Sequence, residues 1–401
     1  MRLSSPLRPI HPFPARMAAS IALKQLSGRR KILRVLDPLV GSGTSLVVAK
    51  SYGHDVVGFD IDPMAVLLAR SWLTGVSESG VRLATVRTLR CARLCVARLR
   101  LREAYPCPAR DVETRRFIRY WFDPVNRLQL TALSRAIERE RNRKIRTLLW
   151  CAFSKLIIAK QAGASLAMDL AHSRPHRVRD RSPFRPLRRF TEAVESVLRL
   201  LPFKNGVSKS RASVRRSDAR DLPLPAESVD LVITSPPYMD AIDYLRCHKF
   251  SLVWMGYSIW DLRVRRARGI GAGRGSMSSF DHEVNSIVRR MVGGKHLNDR
   301  HERVLCRYVA DMREVIQEIR RVLVPRGKAT FVIGNSTQRG VRIRNSLGVL
   351  LLDERCGLRQ ISRRTRVLPD NRRYLPPPSV GRNHIRRRIR TEVVLTFRKV
   401  A

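Results

Sequence analysis

The run Val229-Asp230-Leu231-Val232-Ile233, followed by Thr234-Ser235-Pro236-Pro237-Tyr238, constrains this chain more than any other stretch. A short, nearly continuous apolar run marks a strand buried on both faces, the kind found in parallel sheets. Two prolines cannot continue a ladder, so the backbone must leave the sheet rigidly at the strand's carboxyl edge. In open α/β sheets that edge is where ligands bind. Proline has no N–H, which leaves the Ser235 and Pro236 carbonyls open to accept hydrogen bonds. Ser235 adds a hydroxyl acceptor, and Tyr238 a flat face for stacking. A planar group bearing an NH2, such as a nucleobase, suits those partners. The plainer alternative is a proline-rich turn after a core strand.

A second strand-to-loop passage lies near the N-terminus. An apolar strand over 32–36 leads into Asp37-Pro38-Leu39-Val40-Gly41-Ser42-Gly43-Thr44 and a helix over 45–52. An acid at a strand tip and a Gly-rich turn opening a helix describe a nucleotide-type loop. It is not a phosphate loop, because no Lys stands where it must reach the phosphates, and it lacks the three glycines of the dinucleotide fingerprint. Gly41 and Gly43 let the backbone approach a ligand closely, and Asp37 points to a ligand carrying a cation. The next strand, 55–60, ends in Asp60, placed to hold ribose hydroxyls. Asp62, before Pro63 and a helix over 64–73, reads as its N-cap.

Both acids, the DPxxGSGT loop and Ser-Pro-Pro-Tyr, which fits a (D/N/S)PP(Y/F) tetrapeptide, resemble the S-adenosylmethionine-dependent DNA amino-methyltransferases. The resemblance covers roughly residues 11–70, 213–257 and 303–336, and departs at Leu39, where the family usually has Phe. It implies the class I methyltransferase fold: α/β, Rossmann-like, a doubly wound seven-stranded mostly parallel sheet. The implied cofactor is S-adenosyl-L-methionine, held by Asp37, Pro38, Gly41, Ser42, Gly43, Thr44, Asp60, Ile61, Asp218 and Ala219. In that pattern Thr44 and the loop backbone meet the methionine end, Asp60 the ribose and Asp218 the adenine amino group, with Asp221 as competitor for the last role. Ser235, Pro236, Pro237 and Tyr238 are the implied catalytic set. The implied reaction is methyl transfer to an exocyclic amino group in DNA. Ser before Pro-Pro-Tyr is commoner in the cytosine-N4 enzymes, which favours N4 of cytosine; N6 of adenine and an RNA amino group are the alternatives. A cognate restriction endonuclease is a possible partner system of such an enzyme. The recognition sequence and oligomeric state stay open.

Charge points to the same partner class. With 79 Lys+Arg against 33 Asp+Glu in 401 residues, a net charge of +46 draws in a polyanion such as DNA. The excess is mostly arginine and spread along the whole chain, a distribution that coding bias also produces. A 44% hydrophobic content is enough for a sizeable core. Seven scattered cysteines, with no CxxC pair, read as reduced thiols. No metal is expected: Cys91 and Cys95 have no completing ligands, and Pro175 breaks the helical spacing of His172 and His176. Without a signal peptide or an apolar run near membrane-span length, the chain reads as soluble and cytoplasmic.

Residues 1–75 and 210–401 read as two parts of one methyltransferase core. They flank a basic, mostly helical insertion, 76–209, a candidate for target recognition. Helical periodicity appears there over 117–120, 127–139, 145–160 and 187–201. Beyond it we expect a third core strand from 212, a helix over 240–257 carrying His248, and a flexible basic loop over 263–279. A helix over 308–323, closed by Pro325-Arg326-Gly327, leads to a strand over 329–334 and a helix over 345–354. Strands 359–367 and 392–398 pair antiparallel, with a stiff basic loop, 371–378, between them. Rival functions fit less well. A cytosine-C5 methyltransferase needs a Pro-Cys nucleophile at a strand end, but Pro106-Cys107 lies in the insertion. A binding protein without catalysis explains the charge but not Asp37, Asp60 and Ser235 together. A protein N5-glutamine methyltransferase more often carries Asn at Ser235 and needs no such basic surface.

Overall fold

The computed structural model describes residues 7–13, 16–29, 31–106, 111–159, 163–168, 170, 175–203, 210–238, 244–272, 280–338, 340–368 and 391–400. Helix α1 (Ala19–Leu26) precedes strand β1 (Arg34–Asp37), helix α2 (Thr44–Ser51), strand β2 (Asp55–Asp60) and helix α3 (Pro63–Leu73). Helix α3 starts where expected, because the Asp62 carboxylate accepts the Met64 N–H and Pro63 occupies the first turn. Five helices follow: α4 (Glu78–Arg98), α5 (Val112–Trp121), α6 (Pro124–Glu138), α7 (Arg143–Ile157) and α8 (Pro186–Leu198). Strands β3 (Ala212–Arg216) and β4 (Val229–Thr234) lead to helices α9 (Tyr244–Leu252), α10 (Ile259–Ala267), α11 (His282–Val292) and α12 (Asp299–Val322). Strand β5 (Leu323–Gly334), a short hairpin β6 (Ser336–Gln338) and β7 (Val341–Ile343), helix α13 (Asn345–Arg355) and strands β8 (Leu358–Val367) and β9 (Thr391–Lys399) complete the described chain.

One seven-stranded sheet runs β3-β2-β1-β4-β5-β9-β8. Its first five strands are parallel, and β9 lies antiparallel between β5 and β8. The fold is therefore the expected α/β, Rossmann-like, mostly parallel sheet. Chain order reverses between β1 and β4, so their carboxyl ends flank the topological switch point where such sheets bind ligands. The strand β4 shows why its sequence is almost all apolar. Leu231 and Ile233 pack into one buried cluster, with α1–α3 and the helices α4 to α9, while Val229 and Val232 pack into a second with α11, α12 and α13. Burial of each such side chain contributes roughly 1.5–3 kcal/mol. The helices between α3 and β3 thus share the core on one face of the sheet.

Several expectations need correcting. Residues 263–267 are the last turns of α10, not a loop; Ser258 caps this helix in a capping box with Asp261. Residues 273–279 of that stretch, and the whole 371–378 loop, lie outside the described residues. Helix α12 begins at Asp299, a full two turns before 308, with Asn298 accepting the His301 N–H. Pro325-Arg326-Gly327 does not end in a turn between separate elements: it interrupts the β4–β5 register, which jumps from Val229↔Leu323 to Leu231↔Lys328. Arg326 takes up the kink at φ 62°. Helices α4 and α11 and the β6–β7 hairpin were not expected. His172 is also outside the described residues, and every described cysteine is a free thiol.

Candidate active site

The carboxyl ends of the parallel strands open onto a cavity of about 870 Å3. Most of the residues expected at a cofactor or catalytic site line it. From the loop after β1 come Asp37, Gly41, Ser42 and Thr44, and from the end of β2 come Asp60 and Ile61. Asp218 and Ala219 reach it from the loop after β3, and Ser235, Pro237 and Tyr238 from the end of β4. Three expected residues do not line it: Pro38, Gly43 and Pro236 are buried behind the surface. Gly43 instead serves packing. It is left-handed at φ 85°, and a Cβ there would lie 3.0 Å from the Cα of Ala69, so α2 and α3 can approach only over a glycine. Asp221 does not line the cavity, which separates it from Asp218.

The loop after β1 is held open by its acids. The Asp37 carboxylate accepts hydrogen bonds from Thr234 Oγ1 at 2.8 Å, the Leu39 N–H at 3.2 Å and Ser45 Oγ. It thereby joins the tips of β1 and β4 across the switch point. Burial pushes its carboxyl up to about 6, against the pull of those three bonds. Asp60 accepts the Gly41 N–H and the Asp62 N–H, each at 2.9 Å. Burial, and then the neighbouring Asp62 charge, raise it to about 7. Each carboxylate oxygen has more than one lone pair, so these bonds leave acceptor capacity for a ligand. At Asp218 burial pushes upward, but Arg220 donates side-chain and backbone hydrogen bonds that hold the carboxyl below its ordinary value.

The Ser-Pro-Pro-Tyr element is fastened to the neighbouring strands. Ser235 Oγ donates to the Val332 carbonyl at 3.0 Å. With its proton committed to β5, the hydroxyl offers a ligand lone pairs rather than a donor. Tyr238 donates its OH to Glu392 on β9 at 3.4 Å. Its ring lies so close to Gly334, at the end of β5, that a Cβ there would be 2.8 Å from Tyr238 Cε2. Ser-Pro-Pro-Tyr thus stands on two strands that the sequence separates from it by roughly a hundred residues or more.

Other lining residues were not singled out by the sequence. Phe13, within His11-Pro12-Phe13, stacks on Tyr244 with ring centroids 5.2 Å apart and planes 20° apart. His248, one turn further along α9, does not line the cavity but is fully buried behind it, with Nδ1 2.5 Å from Asp62 Oδ2. Asp62 therefore both caps α3 and anchors α9. Residues 263–272 form another wall. The start of α10 is pinned to α5, where Thr114 Oγ1 accepts the Ile259 N–H at 2.9 Å and Glu113 pairs with Arg263. No periodicity or motif signals Phe13, Tyr244 or this wall; each depends on a long-range contact. Among the described residues, no group of three or more His, Cys, Asp or Glu side chains is disposed to hold a metal ion. No helix there is long and apolar enough to cross a membrane.

The chain also resembles known proteins. The chain is similar to the Type II methyltransferase M.MvaI of Kocuria varians, at 20% identity over 413 residues, covering 97% of this chain and 90% of that protein. Among solved structures it is similar to a SAM-dependent methyltransferase from Methanosarcina mazei, at 9% identity and TM-score 0.33, covering 93% of this chain and 94% of the other. It is also similar to the YcgJ protein from Bacillus subtilis, at 9% identity and TM-score 0.33, covering 96% and 98%. No family model matches.

Proposed function

We propose that this protein is a methyltransferase that uses S-adenosyl-L-methionine to modify an exocyclic amino group of a DNA base, N4 of cytosine first. The observation that carries the reading is the meeting of Asp37, Asp60, Asp218, Ser235 and Tyr238 on a single cavity at the sheet's switch point. The 20% identity to a Type II methyltransferase across 97% of the chain supports it. The cavity's size is in the ordinary range for a small-molecule site, and its donor set fits the cofactor. Asp60 suits ribose hydroxyls, Asp218 an adenine amino group and the Asp37 end a cationic centre. When bound, the cofactor supplies an electrophilic methyl group.

The difficulty lies with the nucleophile, since the lone pair of an aromatic amine is delocalised into the ring. Ser235 Oγ, with its own proton on Val332, accepts one amino hydrogen. Pro236 does not line the cavity, so its carbonyl is not assigned the other. The Ser235 bond favours the pyramidal nitrogen that attack requires, a stabilisation that grows toward the transition state. Tyr238 supplies the stacking face for a base turned out of the duplex. The helices of 76–209 and the arginines of α10 are assigned the phosphate contacts and site choice.

Incubation of the purified protein with methyl-labelled S-adenosylmethionine and either duplex DNA or RNA tests the reading. Label in an amino-methylated DNA base is the expected result. Label in RNA alone, or in neither, would overturn it.

A further inference from the structure

Asp218 is not alone at the cavity wall. Arg220 holds both of its carboxylate oxygens, with Nε 3.0 Å from Oδ1 and Nη2 2.7 Å from Oδ2. The same guanidinium donates Nη1 to Asp311 on α12 at 2.7 Å and Nη2 to the Arg268 carbonyl at 2.8 Å. Asp311 uses its other oxygen to accept the Gly271 N–H at 2.8 Å. One ion pair therefore ties down two peptide groups of the segment 268–272, all of which lines the cavity. The pair is shielded, with side-chain exposures of 16% for Arg220 and 6% for Asp311, so solvent screens it little. The segment is also pressed close to its neighbours. Gly271 is left-handed at φ 67°, and a Cβ there would lie 3.2 Å from the Tyr308 ring.

We propose that Arg220 is a positioning residue for the cofactor. With Asp311 it latches residues 268–272 over the adenine end of the cavity and keeps Asp218 aimed as an acceptor. The inference rests on the S-adenosylmethionine reading above. Its chemistry is specific to arginine. A planar guanidinium meets three acceptors in fixed directions, whereas lysine keeps the charge beside Asp218 but cannot span all three. An asparagine at 311 keeps the shape but only one acceptor oxygen, so it cannot serve Arg220 and the Gly271 N–H as the carboxylate does. Arg220→Lys and Asp311→Asn thus loosen the latch from opposite ends and leave Asp218 in place.

The test measures cofactor affinity by calorimetry, cofactor dissociation by stopped flow, and steady-state kinetics. In both variants affinity should fall by about tenfold, the scale of one lost charged hydrogen bond, and mostly through faster dissociation. KM for the cofactor rises, while kcat at saturating cofactor and the affinity for DNA stay within about twofold of wild type. Arg313→Lys is the control: it loosens a comparable set, with Asp281 and Glu283, elsewhere on α12 and away from the cavity lining. It should leave cofactor affinity unchanged. Unaltered cofactor binding in folded Arg220→Lys and Asp311→Asn proteins would overturn the latch. Equal weakening by Arg313→Lys would do the same, since the effect would then be general loosening of α12. A wild-type protein that binds no S-adenosylmethionine would instead sink the cofactor reading itself.

Discussion

In the proposed reaction, Ser235 is the residue on which the chemistry turns. Its hydroxyl donates to Val332 and so faces the cavity as an acceptor. Ser235→Ala should leave cofactor affinity intact and lower kcat and kcat/KM together, because the lost bond strengthens only as the amine becomes pyramidal. A loss confined to KM would mean that Ser235 merely helps bind the base. Asp60 makes a different prediction. Its folded value of about 7 lies well above that of an unfolded carboxyl. The cofactor-free protein therefore keeps a proton there at pH values where the unfolded chain has lost it. That contribution to stability is present in acid and disappears as pH rises through about 7. Ribose hydroxyls donate to the ionised form, so cofactor binding should release a proton near neutrality and tighten between about pH 6 and pH 8. Calorimetry in buffers of different ionisation enthalpy measures that proton. Asp60→Ala should abolish the release and weaken binding by at least about tenfold. Proton-neutral binding at pH 7, with unchanged affinity in Asp60→Ala, would remove Asp60 from the site.

At the scale of elements, the site is a junction of strand ends. Tyr238 rests on Gly334 of β5 and donates to Glu392 of β9, so its ring position is a property of three strands. Gly334→Ala would drive a methyl group into that ring, and in a packed setting such overfilling costs typically 1–3 kcal/mol. We expect a fall in turnover with cofactor affinity preserved. A reduction in cofactor binding as large as that in turnover would contradict a role limited to Tyr238. These junctions also explain what the sequence could reveal. Strand β2 and the caps of α3 are local, written in Asp55–Asp60 and Asp62-Pro63, and they fall where the pattern put them. Helix α10 was masked by its Gly- and Arg-rich surroundings, and α4 by an arginine content that blurs its apolar face. Phe13 and Tyr244 belong to the cavity only because the chain's beginning folds back onto α9, and no local pattern encodes that contact.

For the whole molecule, the net charge of +46 is the dominant long-range property. DNA affinity should drop steeply and linearly on a logarithmic salt scale, whereas the affinity of the small cofactor should hardly move. Replacing the exposed Arg181, ahead of α8, and Arg188 and Arg189 in its first turn should flatten the slope for DNA without touching cofactor binding. If that variant binds and methylates the same sites as before, the region is a structural buttress. The proposed reaction is amino-methylation of a DNA base, and one measurement reads that outcome directly. Nucleosides from the DNA and RNA of cells expressing the wild-type or the Ser235→Ala chain should be compared by mass spectrometry. N4-methylcytosine in DNA is expected, at a level that falls sharply in the variant. Methylated RNA beside unmodified DNA, or no methylated amino base in either, would contradict it.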